Sequence, residues 1–378
     1  MTPPPRHVYV HVPFCARRCS YCDFSIAVRR EVPVDDYLRG LDRELAIRYR
    51  DSERSRESCT VDTLYFGGGT PSRLGAGGVA RAIETITSRL RLADGAEVTL
   101  EANPEDVSES AVAAWRSAGI TRLSIGAQSF DNRVLAWMHR THDSAAISRA
   151  VELARGGGID NLSIDLIFAL PESLGRSWEA DLDRALLLDS SHISLYGLTI
   201  EPHTPLGRWQ ASGRVTESPD DHYEREFLLA NEIMRSAGFE HYEVSNFARP
   251  GRRSLHNSSY WSGNAYAGLG PSAHGFDGAA RRWNASGYVD WLHRIDAGSD
   301  PMEGTEVLSD DNRAAEAVYL GLRTTAGLTL APRETLHVRP WIDAGWAIVD
   351  ADHRLSLTPL GWLRLDTLAA NLTLFRSR

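Results

Sequence analysis

The 378-residue chain contains no lysine: all 41 of its basic residues are arginine. That absence excludes Schiff-base chemistry, a lysine-anchored pyridoxal phosphate and a Walker A loop. Cysteine is scarce as well, with four residues, three of them inside eight positions. Such packing is no disulfide framework, and in a reducing compartment it points to metal binding. No apolar run approaches the ~18 residues of a membrane span. The opening MTPPPRHVYVHVPF lacks the apolar core of a secretory signal, so a cytoplasmic protein that is not integral to a membrane is expected. Runs of positive charge are missing too, and the net charge is −9. General nucleic-acid binding, which relies on neutralising phosphates, is therefore not expected.

What is present is Cys15, Cys19 and Cys22 in HVPFCARRCSYCDF. A C-x3-C-x2-C triplet can hold three irons of a cubane cluster and leave the fourth without a protein ligand. That open corner is where a small molecule can chelate, as at a catalytic zinc. Zinc itself ordinarily takes four ligands from paired C-x2-C units, and no partner pair follows. The remaining cysteine, Cys59, lies alone in DSERSRESCT and reads as incidental.

Short β-branched runs alternate with amphipathic helical patterns through the first half. Strands are expected at His7–Val12, Val61–Phe66, Glu97–Glu101, Arg122–Gly126, Leu162–Ile167 and His192–Tyr196. Leu38, Leu41 and Leu45 mark one intervening helix. Six β-α units in succession imply parallel strands joined by right-handed crossovers, a partial (β/α)6 barrel. Active sites in such sheets sit at the C-terminal ends of strands. The cysteine loop follows the first strand and Gly67-Gly68-Gly69-Thr70-Pro71 follows the second. Glu101 ends the third, Gln128 lies just past the fourth and Asp165 is inside the fifth. Turn chemistry explains any one of these but not their shared rim.

Thr204–Asp221 reads as a long loop, followed by a helix near Asp221–Ala237, then Glu240–Phe247 and the glycine- and aromatic-rich HNSSYWSGNAYAGLGPSAHGF. From about Leu308 a helix, further short helices, a hairpin (Trp346–Val349, Leu355–Leu357) and a helix from Pro359 suggest a winged-helix-like tail. Acidic residues outnumber arginines there, so the tail reads as a cap or docking surface, since a DNA-reading module should be basic. The expected division is 1–240 for the partial barrel, 241–305 for a connecting segment and 306–378 for the smaller, mainly helical domain.

The cysteine spacing resembles the radical S-adenosylmethionine (SAM) superfamily, in which SAM chelates the fourth iron of a 4Fe-4S cluster. More specifically, YVHVPFCARRCSYCDF, YFGGGTPS, EANPE, IGAQSF, HRTH, SIDLIFALP and HNSSYW, in this order, resemble the oxygen-independent coproporphyrinogen III oxidase family in the broad sense. The resemblance spans essentially the whole chain. It implies SAM contacts at Tyr9, Gly68, Gly69, Thr70, Glu101, Gln128, Arg140 and Asp165, with Tyr21 near the adenine. Ala169 stands where that family usually has glycine. Two features select a branch. The oxidases resemble C-x3-C-x2-C-x-C, and the additional position here is Phe24; His256-Asn257-Ser258-Ser259-Tyr260-Trp261 matches the HNxxYW signature of the HemW heme chaperone branch. Imidazole is a common axial ligand of heme iron, so the resemblance implies a heme contact at His256, although a histidine before asparagine also caps turns. It further implies delivery of heme to acceptor hemoproteins and allows a homodimer. The competing expectations are radical decarboxylation of coproporphyrinogen III, which Phe24 argues against, and another radical SAM reaction on a small molecule.

Overall fold

The computed structural model describes residues 5–49 and 60–377; Cys59 lies outside them. The first half builds β1 (His7–Val12), α1 (Val34–Arg48), β2 (Thr60–Gly68), α2 (Gly75–Thr87), β3 (Arg91–Ala102), α3 (Glu109–Ala118), β4 (Arg122–Gln128), α4 (Asn132–Trp137), α5 (Ser144–Gly156), β5 (Asn161–Phe168), α6 (Trp178–Leu187) and β6 (His192–Gly197). All six expected strands are there, each within three residues of its expected start except β3, which begins earlier at Arg91. Next come α7 (Pro205–Ala211), α8 (Asp220–Ser236), β7 (Glu240–Glu243), β8 (Asn246–Ala248), α9 (Leu255–Trp261), β9 (Ala267–Leu269), β10 (His274–Phe276), β11 (Ala280–Asn284), α10 (Tyr288–Asp296) and β12 (Met302–Val307).

The main sheet runs in the order β9-β1-β2-β3-β4-β5-β6-β8-β7. From β9 to β6 every pairing is parallel, while β8 is antiparallel to β6 and β7 to β8. The boundary expected at residue 240 falls inside this sheet: β8 and β9 both belong to the segment expected to be a connector. The short β9 escaped notice because its three residues carry no periodicity. Gly268 on it is required sterically, since a Cβ there would lie 2.0 Å from the His274 carbonyl oxygen.

Parallel strands covered on both faces usually read as continuous apolar runs; these alternate. Val8, Val10, Leu64, Phe66, Leu100, Leu123, Ile125, Ile164 and Leu195 bury one face under the helices, each side chain contributing about 1.5–3 kcal/mol. The other face carries Thr63, Glu97, Thr99, Arg122, Ser124, Ser163, His192 and Ser194, also buried. Alternation therefore reports a polar interior behind the sheet.

The segment Thr204–Asp221 is not all loop. Thr204 caps α7 by accepting the Gly207 N–H at 3.0 Å, Pro205 occupies the first turn and Leu206 is fully buried. Thr-Pro is a helix-start signal that the surrounding glycines obscured. Ala169 has φ +55°, in the left-handed region that favours glycine, which is why a glycine is usual there. The final elements are α11 (Asp310–Arg323), β13 (Leu328–Thr329), α12 (Thr335–Asp343), β14 (Ala347–Val349), β15 (Arg354–Leu357), α13 (Pro359–Trp362) and α14 (Leu365–Arg376). The expected hairpin is β14–β15, joined by β13 into a three-stranded antiparallel sheet. Arg323 on α11 pairs with Glu243 on β7 at 3.3 Å, tying this part to the main sheet.

Candidate functional site

The loops after β1 and β2 meet first. Phe14–Cys15 and Ala27–Val28 form a short parallel pair that closes the cysteine loop on itself. The Gly69 N–H donates to the Val12 carbonyl at 2.8 Å, and Thr70 Oγ1 lies 3.5 Å from Cys15 Sγ. Gly69 permits this approach: a Cβ would stand 2.6 Å from the Pro13 oxygen and 2.7 Å from its carbonyl carbon, both backbone. Gly69→Ala should therefore destabilise the protein by about 1–3 kcal/mol and separate the two loops. Gly77→Ala, on the exposed side of α2 with nothing near its Cβ, should instead stabilise by about 0.5–1 kcal/mol. Urea denaturation of both variants checks the pair, and equal effects would contradict the steric account.

One cavity of about 520 Å³ opens at the C-terminal ends of the strands. It is lined by Cys15, Cys19, Cys22 and Tyr21 from the first loop and by Gly68, Gly69 and Thr70 from the second. Glu101, Gln128, Arg140 and Asp165 complete the group, so eleven residues singled out in the sequence face one space. Gln128 holds φ +67° at a bulge in the β4–β5 pairing, a strained conformation of the kind found at functional sites. Arg140 donates to Asn103 Oδ1 at 2.6 Å and to the Gly126 carbonyl at 2.9 Å, and its Nη1 lies 3.7 Å from Cys19 Sγ. Its Nε is buried without a partner.

Two further residues singled out in the sequence do not line this cavity. Tyr9 is not among the lining residues; it lies on the polar face of β1, with its hydroxyl 3.1 Å from His11 Nδ1 and its ring against Tyr65. His256 is 1% exposed. Its Nδ1 is 2.7 Å from Thr63 Oγ1 and its Nε2 is 2.8 Å from the Tyr260 hydroxyl, so neither nitrogen is free for iron. In this conformation the HNSSYW segment closes the bottom of the polar interior, with Glu97 accepting the Leu255 and His256 N–H groups that begin α9. Asn103, His139, Tyr196 and Thr199 line the cavity without having been singled out. Asn103 was within sight in EANPE, directly past the strand end.

Burial pushes the Cys22 thiol up to about 11 and raises that of Cys15 as well, the Thr70 hydroxyl opposing the latter. Thiols so placed stay protonated until a metal displaces the proton, and the Arg140 guanidinium also opposes the rise at Cys15. Among the described residues no three His, Cys, Asp or Glu side chains converge as ligands of a single ion would; a cubane binds each thiolate at a different iron and asks for a wider triangle. Burial also raises the Glu101 carboxyl to about 7, against hydrogen bonds from the Tyr65 hydroxyl at 2.8 Å and the Gly68 N–H at 3.2 Å. Asp165 is raised by burial too, opposed by serine hydroxyls, among them Ser124 at 3.0 Å. A donor set of three thiols, a glycine-rich backbone cradle, two carboxyls and a guanidinium fits an iron–sulfur cluster with a nucleoside-bearing amino acid beside it.

Comparison with known proteins agrees. The radical SAM superfamily model matches residues 9–185, and that superfamily implies a 4Fe-4S cluster and SAM. "Heme chaperone HemW" of Synechocystis is 34% identical over 336 residues, covering 86% of this chain and 80% of that protein. The protein of the same name from Mycobacterium tuberculosis is 36% identical over 330 residues, covering 86% and 84%. The solved structure of coproporphyrinogen III oxidase (HemN) from Escherichia coli superposes with a TM-score of 0.81 over 98% of this chain and 90% of that one; at 22% identity this speaks for the fold alone. No helix among the described residues is long and apolar enough to cross a membrane. With the cysteine triplet, the glycine cradle and the carboxyls on one rim, and with this identity over most of its length, the chain belongs to the HemW family of the radical SAM superfamily.

Proposed function

We propose that this protein is a heme chaperone that carries a 4Fe-4S cluster with SAM and delivers heme to acceptor hemoproteins. The observation that carries the reading is the match, over 86% of the chain, to proteins named heme chaperones. Phe24, 61% exposed at the cavity, supports it, because the resemblance places an additional cysteine there in the oxidases. Cys15, Cys19 and Cys22 would hold the cluster. The Gly68–Thr70 backbone, Glu101, Gln128, Arg140 and Asp165 would hold SAM, and Tyr21 would pack near its adenine. A bound cluster of this kind supplies one-electron chemistry to SAM. The chain's own part is to bind, orient and exclude water. Three cysteines in no disulfide, available to a cluster as thiolates, suit the reducing cytoplasm. Heme ligation by His256 would require one ring nitrogen to exchange its partner, Thr63 Oγ1 or the Tyr260 hydroxyl, for iron, while the other could keep its hydrogen bond.

Anaerobic reconstitution followed by two assays tests the reading. A Soret band that co-elutes with the protein in gel filtration is expected, and its absence would count against the chaperone. Conversion of coproporphyrinogen III with SAM and reductant should not occur; turnover would favour the oxidase. Cys19→Ser should lose the cluster's iron and its visible absorption, and a full iron complement in that variant would contradict the assignment.

A further inference from the structure

Arg122 begins β4 on the polar face of the sheet and is 1% exposed. Among the described residues its guanidinium makes no hydrogen bond and no ion pair, and its Nε is buried without a partner. Burying an unpaired charge is costly, so its position calls for an explanation. Register sets Arg122 beside Thr99 on β3, whose Oγ1 is also buried and unpartnered, and sets Ser124 beside Glu101 one step nearer the cavity. Asp165 stands on the next strand, opposite Gly126. Arg122 thus lies one register step beneath Glu101 and two beneath Asp165, the carboxyls that line the cavity.

The groups around those carboxyls offer no competing positive charge. Burial holds His192 and His256 well below their ordinary range, so both imidazoles are neutral. It holds the phenols of Tyr9, Tyr65 and Tyr196 far above theirs, and likewise Tyr242 and Tyr260. Glu97 is committed to the start of α9 and Glu243 to Arg323. Arg140, at the rim, is engaged with Asn103, Gly126 and Cys19. The field of Arg122 acts on both Glu101 and Asp165. Because it is bonded to neither, it favours their charged forms without occupying an oxygen that a ligand would use.

We propose that Arg122 is a positioning residue of the cofactor cavity, which from below and without touching the ligand keeps Glu101 and Asp165 available as acceptors for the ammonium and hydroxyl donors of SAM. This rests on the reading that the cavity takes SAM. Acceptors must be ionised to receive a cationic ligand well, so affinity is present above the Glu101 midpoint and falls as pH drops through it. Without Arg122 both carboxyls hold their protons to higher pH, and the fall moves upward.

The test uses the full-length, anaerobically reconstituted protein, titrated calorimetrically with SAM from about pH 6 to about pH 9, across the range of the raised carboxyl. Arg122→Met and Arg122→Gln should move the midpoint of affinity loss up by as much as about one unit and weaken binding by as much as about tenfold at neutral pH, with recovery in alkali. Arg122→Lys should return the midpoint toward wild type. Uniform weakening at every pH, or none, overturns the proposal in favour of a structural role. Infrared titration of the Glu101 carboxyl in wild type and Arg122→Gln gives a reading independent of SAM. A midpoint that rises in the variant supports the proposal even if wild type binds no SAM, in which case only the cofactor reading fails; an unmoved midpoint overturns it.

Discussion

Glu44→Ala should destabilise the protein by about 3–5 kcal/mol, the usual consequence of removing one partner of a buried ion pair. Glu44, on α1, is fully buried and accepts from the Gly270 N–H at 2.8 Å, Asn284 Nδ2 at 2.7 Å and Trp291 Nε1 at 3.0 Å. Arg48, one turn on, reaches it at 3.2 Å with its own side chain only 10% exposed. A single carboxylate thus fastens α1 to the end of β9, to β11 and to α10. Alanine leaves the Gly270 and Trp291 N–H groups without this acceptor, and leaves Asn284 and the Arg48 cation only the carbonyls of Gly270 and Gly268. Glu44→Gln keeps an acceptor but loses the charge opposite Arg48, and should fall between alanine and wild type. Urea midpoints of the three proteins give the order. A Glu44→Ala midpoint indistinguishable from wild type would mean that the attachment is not made through this side chain.

Glu101→Gln should make the SAM-free protein progressively more stable relative to wild type as pH rises from about 5 to about 8. The sign follows from linkage. The Glu101 carboxyl is raised in the folded protein to about 7 from an ordinary 4.5, chiefly by burial. Between those values the folded state binds a proton that the unfolded state does not. Stability is therefore highest at low pH and is lost as pH rises through the folded value, levelling off above it. Each unit climbed is worth up to about 1.4 kcal/mol. Glutamine keeps an oxygen for the Tyr65 hydroxyl but turns an amide toward the Gly68 N–H, a loss of about 1 kcal/mol that does not vary with pH. Thermal midpoints measured at several pH values should diverge in favour of the variant, whose SAM affinity should meanwhile drop. Parallel curves would contradict the raised carboxyl. A side chain that weakens the empty fold and serves the ligand reflects the exchange of stability for function common at binding sites.

The convergence of Cys15, Cys19 and Cys22 on one cavity was legible because spacing confined to one loop is local. The strands were legible because a two-residue alternation is also local. Placing the glycine cradle, Glu101, Gln128 and Asp165 at one end then needed only the rule that parallel strands joined by crossovers point the same way, and the cavity gathers them. The Thr204-Pro205 helix start was equally local and was obscured by neighbouring glycines.

Depth within the interior is not local. Whether Tyr9 faces the cavity or the layer behind it depends on Tyr65 of the adjoining strand, and a strand pattern says which face a residue takes but not its height relative to neighbours 50 residues away. The same holds for His256, whose nitrogens are occupied by Thr63, distant in sequence, and by Tyr260. It holds for β9, which has no pattern until it pairs with β1. Arg122 and Glu44 read as ordinary charges in the chain; only packing reveals one as an unpaired cation beneath two carboxyls and the other as a buried fastening. Spacing within a loop or strand thus placed the cysteines, the glycine turn and the carboxyls on one rim, whereas burial and long-range register, which no segment encodes alone, decided which charges are paired and which histidine is enclosed.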